Sequence, residues 1–205
     1  MPVDLQAPAL RIVDADDDTI LNLDLIQGLW TEEQYLRLTN HSHRLLEFSE
    51  GSIEVLPMPT DKHQVISRFL LLAFLPFVQK LGGTILYAPL RLQISEGKYR
   101  EPDLLLVQDA SDPRRQNAYW LGADLVVEIV SPDEPERDTI VKRKEYAQAG
   151  IPEYWIVDPE HEIITVLQLA GNRYVEDGAY RRDEVATSAL FVGFSIQVSD
   201  VFDAR

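Results

Sequence analysis

Two carboxylates stand where a chain rarely places charge. Glu128 is the fourth residue of Leu125–Val126–Val127–Glu128–Ile129–Val130, and the other five side chains are apolar. That run is the pattern of a strand buried on both faces. Asp103, in Glu101–Pro102–Asp103, leads straight into a second apolar run, Leu104–Leu105–Leu106–Val107. An ionised carboxylate taken out of water without a partner costs more than a single domain can absorb. Glu128 must therefore be protonated, paired with a cation, or bound to a metal. If the two strands are neighbours and Asp103 meets Glu128, their repulsion requires a cation or a raised pKa. A hard divalent ion, Mg²⁺ with Mn²⁺ as substitute, meets that requirement, because it accepts a couple of carboxylates and keeps most of its waters. The backbone carbonyl of Ile129 offers a further oxygen, so the expected metal set is Asp103, Glu128 and Ile129. Water on such an ion becomes more acidic and can attack a phosphodiester.

The segment Arg137–Asp138–Thr139–Ile140–Val141–Lys142–Arg143–Lys144 supplies cations nearby. On a helix, Asp138, Lys142, Tyr146 and Ala149 fall at i, i+4, i+8 and i+11, a single stripe. Lys142 then faces inward, while Lys144 lies roughly 200° further round and points elsewhere. An inward lysine can orient an attacking water or stabilise a charged transition state. Lys142 is the first assignment and Lys144 the reserve. Each residue also has a plainer use: Glu128 in a buried ion pair, Lys142 on a solvated face, Tyr146 in packing, and Asp103 in a turn cap. His63 reads as a capping or core residue, since no second ligand stands at zinc spacing.

The elements that position these residues follow from pattern. Residues 1–30 read as an N-terminal arm, containing the acidic run Asp14–Ala15–Asp16–Asp17–Asp18 and packed through 10–13 and 20–25; residues 31–205 form the main domain. Thr31 caps a short helix, with Glu33 and Gln34 in capping-box positions. Segments 45–48 and 52–56 flank a hairpin-like turn at Ser49–Glu50–Gly51. Asp61 caps a long, substantially buried helix over 63–80, ended by Gly82–Gly83. Segments 84–88 and 91–94 read as strands, and 108–123 as a polar surface loop with a helical turn. A helix opening near Asp138 ends at Gly150–Ile151–Pro152, and 153–157 is another buried strand. Strand, helix and strand over 125–157 imply a parallel βαβ unit. Segments 163–167, 173–176 and 194–198 read as peripheral strands. The fold class is α/β, a mixed sheet with helices and peripheral β-hairpins.

The totals narrow the partners. The 205 residues contain no cysteine, which excludes disulfides, thiolate catalysis and cysteine-ligated zinc and suits a cytoplasmic setting. The start, Met1–Pro2–Val3–Asp4, lacks the regions of a signal peptide. The longest apolar run, 69–78, includes Pro76 and falls short of the roughly 20 residues of a membrane span. A net charge of −15 weighs against avid, non-specific DNA binding.

Taken in order, Pro102–Asp103, Val126–Val127–Glu128–Ile129–Val130–Ser131–Pro132, Arg137–Asp138 with Lys142 and Tyr146, and Ala149–Gly150–Ile151–Pro152–Glu153–Tyr154–Trp155–Ile156–Val157–Asp158–Pro159 resemble the Uma two family within the PD-(D/E)XK nuclease superfamily. The resemblance spans roughly residues 31 to 202, and Tyr35, Glu47, Gly51, Pro59, His63 and Pro89 also sit where similar sequences have them. It implies a restriction-endonuclease-like core and Mg²⁺-dependent hydrolysis of DNA. Asp103 and Glu128 would hold the metal, the motif lysine would assist the nucleophile, and Glu47 would match an accessory acidic residue. One departure is Val130, two positions after Glu128, where the superfamily places its lysine; the family draws it from the following helix, hence Lys142. By analogy with nucleases that cut both strands, a homodimer is expected. Two other readings remain: a catalytically inactive nuclease-fold binding module, and a metal-dependent phosphodiesterase acting on small substrates.

Overall fold

The computed structural model of the chain describes residues 11–13, 19–22 and 26–205. In chain order the strands are β1 (Arg11–Val13), β2 (Thr19–Asn22), β3 (Leu46–Ser49), β4 (Ser52–Val55), β5 (Thr84–Tyr87), β6 (Leu92–Ser95), β7 (Lys98–Arg100), β8 (Leu104–Val107), β9 (Leu125–Ile129), β10 (Glu153–Asp158), β11 (Ile163–Ala170), β12 (Arg173–Tyr180), β13 (Val185–Thr187) and β14 (Ser195–Gln197). The helices are α1 (Glu32–Thr39), α2 (Asp61–Lys80), α3 (Arg143–Gln148) and α4 (Val198–Phe202), with a π-helical turn, Arg137–Lys142, leading into α3. The acidic run expected at 14–18 lies outside the described residues, as do the arm positions 10 and 23–25.

The chain divides into two compact units. The smaller contains the described residues up to Met58 together with Ser95–Glu101. Thr31 caps α1 as expected, its side chain accepting from the Gln34 N–H while Gln34 returns the bond to the Thr31 N–H. The β3–β4 hairpin turns through Glu50 and Gly51, both at positive φ. Strand β3 also pairs with β7, placing Phe48 opposite Tyr99. Tyr35 of α1 stacks on Phe48 at 5.1 Å, lies 5.3 Å from Tyr99, and gives its hydroxyl hydrogen to the Leu46 carbonyl.

The larger unit contains Pro59–Ile94 and Pro102–Arg205. Its six-stranded sheet runs β12-β11-β10-β9-β8-β5. Only β9 and β10 are parallel, and they are joined through the π turn and α3. This is the βαβ unit that the apolar strand, helix and strand pattern implied. Alternation along β8, β9 and β10 sends side chains into two cores. One face packs Leu104, Val127, Ile129 and Trp155 against Ile66, Leu70, Phe74 and Val78 of α2; the other packs Leu105, Val126, Val130 and Tyr154 with Tyr146 of α3. Cover on both faces explains why these strands read as continuous apolar runs.

Three details differ from expectation. Thr60, not Asp61, caps α2, because its hydroxyl reaches the His63 N–H at 3.2 Å while Asp61 is already helical. The strand expected to reach Val198 ends at Gln197, since Val198 begins α4 and buries completely. The helix near Asp138 opens as a π turn. After α2, Gly83 comes so close to β8 that a Cβ would stand 2.3 Å from the Val107 carbonyl oxygen, which leaves room for glycine alone.

Phe74 is fully buried, stacked on Phe194 at 4.0 Å and edge-on to Trp155 at 5.4 Å. We expect Phe74→Ala to destabilise the chain by about 3–5 kcal/mol. Chemical denaturation would measure this, and a loss under about 1 kcal/mol would mean that α2 does not anchor this core.

Candidate active site

Strand register brings Asp103 and Glu128 together. β8 and β9 run antiparallel with Leu104 opposite Val127 and Leu105 opposite Val126, so the next step of the ladder sets Asp103 opposite Glu128. Asp103 lies in the bend just before β8, and its Oδ2 accepts the Ile129 N–H at 2.7 Å. The main chain of Ile129, expected to offer an oxygen, thus lies directly beside the Asp103 carboxylate. Glu128 shares its face with Val126 and Val130, the face covered by α3.

That helix supplies the cation. Lys142 is 4% exposed, and its Nζ lies 2.9 Å from Glu128 Oε1 and 3.0 Å from Asp138 Oδ1. Tyr146, one turn on, donates its hydroxyl hydrogen to the same Glu128 Oε1 at 2.5 Å. The stripe of Asp138, Lys142 and Tyr146 therefore faces inward, while Lys144 is exposed. The turn bearing Asp138 and Lys142 is held to the sheet by Tyr154, whose hydroxyl donates to the Asp138 carbonyl at 2.9 Å. Wide π turns of this kind recur where side chains must be aimed at a site.

Two of these neighbours were not chosen from sequence. Asp138 falls on the inward stripe in the sequence pattern without an assigned role, and Lys142 at i+4 is the available signal. His63, by sequence a capping or core residue, places its Nε2 3.2 Å from Asp103 Oδ2. The other ring nitrogen, Nδ1, is buried and has no hydrogen-bond partner among the described residues. The sequence held no signal for that contact, which joins α2 to the start of β8.

Charge at the site is tightly balanced. Burial pushes the Glu128 carboxyl up from 4.5 to about 8, despite the downward pull of Lys142 and the Tyr146 hydrogen bond, and Asp138 and Asp103 push it the same way. Burial by itself lowers His63, but its hydrogen bond to Asp103 and the charges of Asp103 and Asp138 outweigh this and leave its pKa raised. Glu47 belongs to the smaller unit. It is fully buried there, with Oε2 3.5 Å from Arg100 Nε and Oε1 accepting the Glu101 N–H at 3.1 Å, so it ties β3 to the end of β7.

Among the described residues, no group of three or more histidines, aspartates or glutamates is placed to hold a metal ion. The donor set is smaller: two carboxylates that have each committed one oxygen. Asp103 Oδ2 takes Ile129 N–H and His63, and Glu128 Oε1 takes Lys142 and Tyr146. Asp103 Oδ1 and Glu128 Oε2 remain, both hard oxygen donors. They fit a Mg²⁺-type ion, which binds through one or two carboxylates and keeps its waters.

Comparison with known proteins agrees with this architecture. The pattern of the family described as "Uma2: Putative restriction endonuclease" matches residues 32–199. A crystal structure of "a putative nuclease belonging to DUF820 from Anabaena variabilis ATCC 29413" superposes with a TM-score of 0.66 at 20% identity, covering 83% of this chain and 96% of that one. No curated protein matches the chain.

The raised Glu128 and His63 values give a pH signature in chelator-treated protein. Between about 4.5 and 8 the folded state holds a Glu128 proton that the unfolded chain has released, so stability falls as pH rises through that window. His63 adds the same sign, since its contribution is complete below 6.5 and is lost as pH rises through its raised folded value. We expect the denaturation midpoint to drop from pH 5 to pH 8.5, with a slope of at most about 1.4 kcal/mol per pH unit for each proton. The slope should be shallower in Glu128→Gln. Identical slopes in both proteins would remove Glu128 as the source.

Proposed function

The chain belongs to the Uma2 family, and on that footing we propose that it is a metal-dependent nuclease hydrolysing DNA phosphodiester bonds at Asp103, Glu128 and Lys142. One observation carries this reading: Asp103, in the bend before β8, accepts the Ile129 N–H right beside Glu128 of β9, each acid keeps an uncommitted oxygen, and a buried lysine stands against Glu128. Asp103 and Glu128 would hold Mg²⁺ or Mn²⁺ next to the main chain of Ile129. When bound, such an ion acidifies a water and neutralises charge on phosphoryl oxygens.

The chain's own residues do the rest. The Ile129 N–H and His63 fix Asp103 from two sides, so its free oxygen is pre-aimed. Tyr146 and Lys142 fix Glu128 in the same way. Asp138 holds the Lys142 side chain at 3.0 Å in a buried place, where a fixed cation acts strongly on charge developing at a phosphoryl group. The net charge of −15 keeps general attraction to DNA weak, so affinity must come from local contacts.

A supercoiled plasmid incubated with Mg²⁺ or Mn²⁺ should be nicked or linearised by the wild type. Asp103→Asn and Glu128→Gln should lose at least about 100-fold in rate, and Lys142→Ala a similar amount, while Lys144→Ala should cut normally. Equal cleavage by wild type and Glu128→Gln would discard the site. Calorimetry with Mn²⁺ should show binding that disappears in Asp103→Asn. DNA binding without any metal uptake or cleavage would favour a non-catalytic module instead.

A further inference from the structure

The loop after β8 is a built wall. Arg114 sits at its centre, with Nε 3.0 Å from each Asp112 oxygen, Nη2 2.6 Å from Asp112 Oδ2 and 2.5 Å from Asp124 Oδ1, and Nη1 3.3 Å from the Ala123 carbonyl. Trp120 is clamped by its main chain, donating to the Arg91 carbonyl at 2.9 Å and accepting from the Gln93 N–H at 2.8 Å. Between this wall and Leu86 and Leu90 lies an open groove of about 660 Å³, also lined by Arg115, Gln116, Asn117 and Trp120.

Arg115 is the unexplained residue. Its guanidinium lies over the Trp120 ring, 5.4 Å from the centroid, and donates to the Ala110 carbonyl. Its Nε is buried with no hydrogen-bond partner among the described residues. The adjacent carboxylate, Asp112, has both oxygens taken by Arg114. In a chain with 34 acidic and 19 basic residues, a cation placed over an indole at a groove, with no ion pair to a carboxylate among the described residues, is poised for a ligand. Trp120 is only 2% exposed, so the stacking platform is the guanidinium and not the indole. Gln116 gives an amide N–H to the Pro113 carbonyl at 2.9 Å, which leaves its carbonyl oxygen as an acceptor, and Asn117 is exposed with both amide functions at hand.

A planar cation for stacking, one N–H without a partner, an apolar wall and carboxamide edges match a nucleotide. A base stacks on guanidinium, carboxamides read base edges, and phosphate takes arginine N–H groups. The groove also adjoins the acids. The Ala88 N–H donates to the Asp103 carbonyl at 3.3 Å, so the end of β5 carrying the Leu86–Leu90 wall abuts Asp103. Leu86, Leu90 and Trp120 pack in the same cluster as Val126, Val130 and Tyr146, which surround Glu128. We propose that this groove is a nucleotide subsite, holding a base of the polynucleotide next to the reacting phosphate; the placement of that phosphate rests on the nuclease reading above.

The test uses the full chain carrying Glu128→Gln, in EDTA, so that binding is read without cleavage. Fluorescence anisotropy with a labelled single-stranded oligonucleotide and tryptophan quenching by adenosine monophosphate give two Kd values. Arg115→Gln should raise the Kd roughly tenfold, and Asn117→Ala several-fold, in line with one lost stacking or edge contact. Arg173→Gln, which removes an equal charge at the opposite edge strand β12, should change neither. Loss with both probes assigns the groove to free nucleotides as well as polymer, and loss with the oligonucleotide alone assigns it to polymer. Equal weakening by Arg115→Gln and Arg173→Gln, no change in Asn117→Ala and Arg115→Gln, or no binding by the parent would each overturn the proposal. If wild type fails to cut DNA with Mn²⁺ while the Arg115 dependence holds, the nuclease reading falls and the subsite stands.

Discussion

The carboxylate of Glu128, inside the central strand of an apolar sheet, sets the terms for everything around it. Such a group has to be compensated, because its desolvation is larger than any surface interaction can return. The compensation is one ammonium and one phenol, Lys142 and Tyr146, both from the helix that follows the strand. Yet Asp138 and Asp103 crowd the same region, and burial still wins, leaving Glu128 with a strongly raised pKa. The proposed divalent ion would relieve that tension by favouring the ionised carboxylate.

The architecture converts this constraint into a fixed geometry. A parallel pair needs a crossover, and here the crossover carries the compensating lysine back over the strand that holds the glutamate. The opening π turn lets Asp138 and Lys142 face the sheet together, and Tyr154 bolts that turn to the neighbouring strand. On the other face α2 is locked through Phe74 and its aromatic neighbours, and its first turn delivers His63 to Asp103. Both faces of the sheet therefore contribute to holding the two acids.

Charge is organised locally against a strongly acidic total. Lys142 is spent on the acids, Arg114 on Asp112 and Asp124, and Arg100 on Glu47. Arg115 is set apart, laid over an indole at a groove rather than against a carboxylate. Among the described residues no helix is long and apolar enough to cross a membrane.

The residue pattern alone determined that β8, β9 and β10 are buried, that β9 and β10 would be parallel, that Asp103 and Glu128 needed a shared solution, and that Lys142 rather than Lys144 would turn inward. These are consequences of period and of desolvation, both of which act locally and are written into neighbouring positions. Tertiary structure decided the rest: the step of register that sets Asp103 against Glu128, the approach of His63 from a helix 40 residues earlier, and the ion pairs that tie Arg114 to Asp112 and Asp124 in a loop whose sequence reads as merely polar. Those contacts join segments far apart in the chain, and side-chain type carries no record of a partner that only packing brings within reach.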